Sequence, residues 1–419
     1  MEGEGYKATF IRKNQWKYHY FLTKVLHRRR YTLYADKYCR LSIERLRQQL
    51  GSSTQNGRSF RFVDRIRKDL RKWDIIRYRY VNQVQESGGI VRTSLTKILD
   101  EITEPGYSKW QPNIEIPFKG TDDKPIGITA QILRSLSLLH VDYDAAIAFA
   151  DQALKERREL PARLEGWRLN TNRYVNKDVY SAWVMSLDAI AEGRFRVPHT
   201  CRRTGRVFTE VTNFPRLLRP FLQLDGQPLV GLDVSCSQPL LFGVYLKRNE
   251  PTLTSDMEHY LELVQKGDFY PYIRHLLDQA GLSYSLESFK ASFFASIFYS
   301  KEKRNHPWRT LFSTHFPGVA AAISQAKKVT PERGGQPELL SNALSNLEAE
   351  IVIQGVAKRL YAMNFYSFLT VHDAIYVAAG AGMEEVIEQL LLQEYQRHGV
   401  TPTVKTEQVP VPEKVCLTK

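Results

Sequence analysis

Two short apolar runs along the chain each carry an aspartate. Leu229-Val-Gly-Leu-Asp233-Val and Phe368-Leu-Thr-Val-His372-Asp373-Ala-Ile-Tyr-Val377 both read as buried strands, and the first gives way to a helix near Ser237. Nearer the N-terminus the period changes. Val63, Ile66, Leu70 and Trp73 recur at helical spacing, with Arg61, Arg65, Lys68, Arg71 and Lys72 over much of the remaining surface. Ser42 is placed to cap a shorter helix over 43–50, which Gly51 stops, and Ser52 to Ser59 reads as a polar turn. Ile75 to Val81 alternates like a strand, and a turn at Ser87-Gly88-Gly89 leads into a second strand from Ile90.

Helix, turn, basic helix and hairpin in that order resemble a winged helix-turn-helix, whose second helix would enter a major groove while the hairpin touches the backbone. The expected organisation is therefore a winged-helix nucleic-acid-binding domain over 1–103 and a Pro/Gly-rich linker over 104–127. A helix-rich region over 128–199 follows, as in Ala145 to Leu154, and then a mixed region over 200–419 that contains both aspartates. No internal repeat or low-complexity tract interrupts this order.

Composition sharpens the picture in one place. The 419 residues carry a formal charge of +14 and are 43% hydrophobic, ordinary for a globular protein. Residues 1–80 hold 21 Lys and Arg against 7 Asp and Glu, while the remainder has 38 of each sign. All of the excess positive charge sits in the first fifth of the chain, the footprint of a polyanion-binding module. The alternative is a solubilising basic tail. Cys39, Cys201, Cys236 and Cys416 are far apart, so neither a zinc site nor a disulfide framework is indicated, as suits a reducing cytoplasm. Neither an apolar run long enough to span a bilayer nor the core of a secretory signal is found.

The two aspartates carry the chemistry. A carboxylate at the end of an apolar strand is costly unless it is paired or coordinates a metal. Asp233 and Asp373, brought together across a sheet, would hold divalent cations, and that points to phosphoryl or nucleotidyl transfer by two metals. Capping or ion-paired aspartates are the plainer alternative.

The flanking residues add a resemblance. Thr204-Gly205-Arg206-Val207, Asn213, Arg219-Pro-Phe-Leu and Asp233-Val-Ser-Cys-Ser-Gln238 resemble the approach to the first catalytic motif of family A polymerases, the DNA polymerase I-like enzymes and single-subunit phage RNA polymerases. Val371-His372-Asp373 matches the second motif, and Gln354-Gly355 stands on a helix upstream, as in that family. The resemblance covers about residues 200–400. It implies an α+β fold, a right-hand polymerase with palm, fingers and thumb, preceded here by the winged-helix domain. It further implies a nucleotidyltransferase using two Mg²⁺ ions, or Mn²⁺, on a DNA primer–template or RNA, with dNTP or NTP as substrate.

By the same resemblance Asp233 and Asp373 are the metal-binding catalytic pair; strand alternation, in turn, predicts that Asp373 points with Val371 and away from His372. Phe289-Lys290 through Phe294 matches part of the fingers helix, which makes Lys290 the triphosphate contact and a proton donor to pyrophosphate, and Phe294 a neighbour of the incoming base. Leu286, Ala295, Phe298 and Tyr299 depart from that helix's pattern, and Arg274 is the nearest upstream arginine. Gln238 stands where the DNA enzymes have a glutamate against the sugar and the RNA enzymes a small residue, so the choice of sugar stays open. Arg206 would read the minor groove and Arg219 brace phosphates or the palm. Glu348 or Glu350 could add a third acid, with helical salt bridging as the other use. The expected setting is a replicase, primase or specialised polymerase of a phage, plasmid or mobile element. A winged-helix initiator or regulator with an inactive polymerase-like half, and a metal-dependent nuclease, are the alternatives.

Overall fold

Aromatic and aliphatic side chains on one face of a long N-terminal helix organise the first of two α+β units. The computed structural model describes residues 6–33, 36–55, 58–84, 90–99, 127–160, 164–165, 168–169, 174–195, 198–282, 290, 293, 297–298, 307–327, 332–333, 336–337 and 340–409. The first unit comprises Met1–Asp123, Leu154–Arg158 and Tyr174–Met185, and the second Lys124–Ala153, Glu159–Arg173 and Ser186–Lys419. The turn at Ser87-Gly88-Gly89 and nearly all of the 104–127 linker lie outside the described residues.

In the first unit α1 (Ala8–Tyr31) buries Tyr18, Phe21 and Val25, and three arginines close its last turn, where cations favour the helix dipole. Strand β1 (Cys39–Arg40) leads to α2 (Ile43–Leu50), the hairpin β2 (Ser52–Gln55) and β3 (Arg58–Arg61), then α3 (Phe62–Lys72). Strands β4 (Ile76–Val84) and β5 (Ile90–Ile98) pair antiparallel from Ile76↔Ile98 to Val84↔Ile90. With β1 they form a three-stranded sheet of order β1-β5-β4. Leu46 and Leu50 from α2, Val63, Ile66 and Leu70 from α3, and Ile76 and Ile98 from the sheet complete the core with α1.

Two features of this unit depart from the expectation. The stretch over 52–59 is part of a β-hairpin instead of a bare turn, because Phe60 packs against the core and gives the ribbon an apolar anchor. Helix α1 was not legible, because its buried residues are interleaved with basic and polar ones and leave only a weak stripe.

The second unit begins with α4 (Ile128–Leu136), β6 (Leu139–Val141) and most of α5 (Tyr143–Lys155), whereas α6 (Lys177–Ala191) belongs to the first unit as far as Met185 and to the second from Ser186. Its centre is a sheet built on β7 (Leu222–Leu224) and β8 (Gln227–Val234), which Asp225-Gly226 joins with φ of 50° and 73°. Positive φ at both positions marks a type I′ turn, which matches strand twist and favours Asp-Gly. The partners of β8 are β10 (Ala374–Ala378) and β11 (Val404–Gln408), and β9 (Phe368–Val371) pairs outside β10. Among the described residues the order is β9-β10-β8-β7-β6, with β11 also on β8.

Helix α7 (Ser237–Asn249) is apolar almost all round and correspondingly buried, with Leu240, Leu241, Phe242, Val244 and Leu246 each at 0% exposure. Phe242 meets Tyr260 of α8 (Ser255–Lys266) and Phe298 edge-on. Phe269 of α9 (Phe269–Gln279) extends this aromatic cluster to Phe312 of α10 (Pro307–His315) and Phe316, just before α11 (Pro317–Ala326). Helix α12 (Leu340–Ala349) continues through a π-helical stretch, Glu350–Ala357, into α13 (Lys358–Ala362). Gly355 lets the π-helix approach α14 (Glu384–Arg397), since a Cβ there would lie 2.8 Å from the Glu394 side chain. No described helix is long and apolar enough to cross a membrane.

The core assignment is directly testable in the first unit. Ile66→Ala removes a side chain with no exposed surface and should cost about 2–5 kcal/mol in urea denaturation. Lys68→Ala, exposed on the same helix, should change stability by less than about 0.5 kcal/mol. Equal effects would refute this packing.

Candidate active site

Register brings the two aspartates together. Strands β8 and β10 pair antiparallel through Leu229↔Ala378, Val230↔Val377, Gly231↔Tyr376 and Leu232↔Ile375. Strand β9 pairs with β10 up to Val371↔Ala374, so His372-Asp373 is a two-residue turn. The second apolar run is therefore two strands and a reversal, where its sequence read as one strand. Asp233 lies one step beyond the last β8–β10 pair, next to Ala374. Its Cα stands within about 9 Å of the Asp373 Cα, given ordinary strand spacing and one further residue.

The turn that presents Asp373 is strained. His372 has φ of 59° while Asp373 is absent from the positive-φ residues, the sign pattern of a II′ turn that favours glycine at the first position. A second left-handed non-glycine residue, Cys236 at φ 54°, forms the N-cap of α7 just after Asp233. Such conformations cost on the order of 1–3 kcal/mol and persist only where the surroundings impose them. Both flank the aspartate pair.

Asp233 shares its sheet face with Gly231, Tyr376, Lys405 and Glu407, since Asp233↔Lys405 and Gly231↔Glu407 are registered pairs. The Tyr376 ring lies so close over Gly231 that a Cβ there would approach its Cε1 to 2.9 Å. Arg219, from the 3₁₀ segment Arg216–Phe221, donates through Nη1 to the Tyr376 hydroxyl at 3.1 Å. The other face carries Val230, Leu232, Ile375 and Val377 into the core, at 6% exposure or less.

Like charges crowd this strand end. Desolvation by the surrounding protein, then Asp373, then Glu407, push the Asp233 carboxyl above the usual carboxylate range, while the Val234 backbone N–H and Arg216 pull it down. The Asp233 side chain nevertheless keeps an exposed edge, so water moderates both the desolvation and the repulsion from Asp373. Among the described residues no group of three or more His, Cys, Asp or Glu is assembled to hold a metal ion. The grouping is a pair of carboxylates with an open side.

Glu348 sits behind the pair at 1% exposure. It accepts from Arg206 through both carboxylate oxygens, with Nε at 2.7 Å, and from the Gln238 amide at 3.2 Å. Burial pushes its carboxyl up to about 7, with Arg206 opposing and Asp373 adding to the rise. The alternative of helical salt bridging becomes here a long-range pair, Arg206 being 142 positions away. Arg206 reaches Glu348 because its loop packs on α12, where Gly205 (φ 65°) leaves room that a Cβ, 3.1 Å from Ala349 Cβ, would fill. Glu350 instead pairs with Arg248 at 3.3 Å on the surface.

The remaining expected residues are scattered. Lys290 holds its ammonium 4.5 Å from the Tyr270 ring centroid, while Phe294, Leu286, Ala295 and Tyr299 lie outside the described residues. Phe298 is buried against Phe242 and Phe293, so it serves the core. In the first unit Arg61, Lys68, Arg71 and Lys72 are exposed, whereas Arg65 is half-buried between aromatic rings. Arg67 turns inward, donating to Ser94 Oγ at 2.6 Å with its guanidinium over Tyr78. Two members of the site escaped sequence reasoning. Glu407 and Tyr376 join Asp233 only through cross-strand register, and the one available signal was alternation along 404–408 and 374–378.

No family model matches the chain, and neither does any curated protein. Among solved structures it is similar to the POL domain of Pol1 from M. smegmatis, in complex with DNA primer-template and dNTP, at 12% identity. That likeness covers 67% of this chain and 68% of the other with a TM-score of 0.42, too slight to support an assignment.

Glu348 makes stability depend on pH. Its carboxyl is raised from 4.5 to about 7, so the folded state binds the extra proton between those values. Its contribution is full below about 4.5 and is lost as pH rises to about 7. Urea denaturation across this window should show a fall, to which the raised Asp233 carboxyl adds with the same sign, and Glu348→Gln should make it shallower. An unchanged slope in the variant would contradict the assignment.

Proposed function

We propose that the protein is a template-directed nucleotidyltransferase, a nucleic-acid polymerase that extends a 3′ end. The observation that carries this reading is the meeting of Asp233 and Asp373 at the ends of paired strands, beside an open, acidic face. Mg²⁺ is ordinarily held by one or two carboxylates, with substrate phosphates and water completing its shell. A pair of carboxylates that repel each other fits that requirement, so Asp233 and Asp373 would hold Mg²⁺, or Mn²⁺ in its place. Bound there, the ions would supply activation of the attacking hydroxyl and neutralisation of the leaving pyrophosphate.

The chain's own groups would then have separate tasks. Asp233 and Asp373 fix geometry at the reacting phosphorus, and Lys290 meets the triphosphate. Phe294 packs near the incoming base. Gln238 faces the sugar with its amide held by Glu348, and Arg206 and Arg219 brace the nucleic acid. In this reading the second unit's sheet is the palm, the helices around Lys290 are fingers, and residues 128–199 are thumb-like. Residues 1–103 form a winged-helix domain, joined by a linker over 104–127. The sheet order β1-β5-β4 beside α1–α3, and the exposed Arg61, Lys68, Arg71 and Lys72, support that part.

A second reading has its own support. Arg206 and Gln238 are both engaged by Glu348, which would suit a nucleic-acid-binding initiator or regulator whose polymerase-like half is inactive.

Purified protein given a primer–template, Mg²⁺ and either dNTPs or NTPs separates the readings. Extension that falls by about a hundred-fold or more in both Asp233→Ala and Asp373→Ala is the expected result. Extension that survives in either variant contradicts the proposal. Binding without extension favours the regulator, and cleavage without extension a nuclease.

A further inference from the structure

The first unit contains a groove of about 850 Å³ between α1, the β2–β3 hairpin and α3. Among the described residues five cations line it, Lys7, Lys13, Lys17, Arg65 and Lys72, against a single carboxylate, Asp69. That carboxylate is already engaged, since the Tyr6 hydroxyl donates to it at 2.6 Å and Tyr18 donates to it as well. The field in the groove is positive and calls for an anionic occupant.

The walls are aromatic as well as basic. The Arg65 guanidinium lies over Phe60, Phe10 and Tyr6, at 4.7, 5.0 and 5.3 Å from their centroids. Tyr6 and Phe10 stack on each other at 5.0 Å. The Lys17 ammonium sits 3.2 Å from the Phe62 centroid. These cations are therefore fixed in place by rings instead of trailing in solvent. Phe10, Phe60 and Tyr6 are half-buried and line the groove.

We propose that this groove binds single-stranded nucleic acid, the lysines following the phosphates and the rings taking unstacked bases. Aromatic platforms within a basic channel recognise single strands without sequence preference, because every base has a π-face. A duplex keeps its base faces stacked inside and would use only the charges. An acidic peptide would likewise leave the rings unmatched. The site shares Arg65 and Lys72 with the basic surface of α3, but Arg61, Lys68 and Arg71 do not line the groove. It also stands apart from the transfer reaction, because binding needs neither metal nor nucleotide.

The test uses the full chain in EDTA, with fluorescence anisotropy of a labelled oligothymidylate and of a labelled duplex. Lys7 and Lys13 are exposed, and Lys7→Glu adds an acid at the α1 N-terminus, where it favours the helix dipole. The fold should therefore survive the double variant Lys7→Glu/Lys13→Glu. Single-strand affinity should fall by about ten-fold or more in that variant, with the salt slope shallower by about 1.4. Duplex affinity should change little. Arg61→Glu/Lys68→Glu should show the opposite pattern, and Lys247→Glu, an exposed lysine of α7, should leave both unchanged. Phe10→Tyr should retain single-strand binding, whereas Phe10→Ala should lose it. Unchanged single-strand affinity in Lys7→Glu/Lys13→Glu overturns the inference, as does a preference for duplex or equal competition by polyglutamate. Loss in Arg61→Glu/Lys68→Glu alone would leave only the α3 surface as a nucleic-acid site. A chain that lacks extension activity but shows the expected single-strand pattern would defeat the polymerase reading and leave this one standing.

Discussion

Repulsion between two carboxylates at neighbouring strand ends is the constraint around which the second unit is arranged. Antiparallel pairing of β8 with β10 and of β9 with β10 brings the backbones of Asp233 and Asp373 to neighbouring positions at one end of the sheet. Burial and then the Asp373 charge raise the Asp233 carboxyl, and two left-handed non-glycine residues, His372 and Cys236, stand at the flanking turns. A fold carries such strain where the arrangement serves something other than stability. Under the proposed function a cation at the open face beside Asp233 would convert the repulsion into binding.

Glu348 is the second organising element. Its buried carboxylate ties the 201–206 loop, through Arg206, to α7, through Gln238, directly behind the aspartates. A buried charge of this kind is tolerated because both oxygens are engaged. The consequence is that Gln238 and Arg206 are positioned by one acid. Any change at Glu348 would be felt at both.

Legibility in the sequence followed the range of the forces involved. The strand ending at Asp233, helix α7 from Ser237, the buried stripe of α3 and the β4–β5 hairpin were readable, because local periodicity sets them. The reversal at His372-Asp373 was hidden within a continuous apolar run. Helix α1 was masked by its own basic residues, and the β2–β3 hairpin depends on a single anchor, Phe60. The contacts Arg206–Glu348, Gln238–Glu348 and Asp233–Glu407 join residues more than a hundred positions apart, and no pattern along the chain specifies them. The two aspartates were recognisable as residues, but their proximity is a product of register.

The central claim is that Asp233 and Asp373 share divalent cations. Electron paramagnetic resonance of Mn²⁺ titrated into the protein, with and without a nucleoside triphosphate, tests it most directly. The account predicts binding that the triphosphate strengthens and that Asp233→Asn and Asp373→Asn each weaken by about ten-fold or more. Mn²⁺ binding of equal strength in wild type and both variants would contradict it.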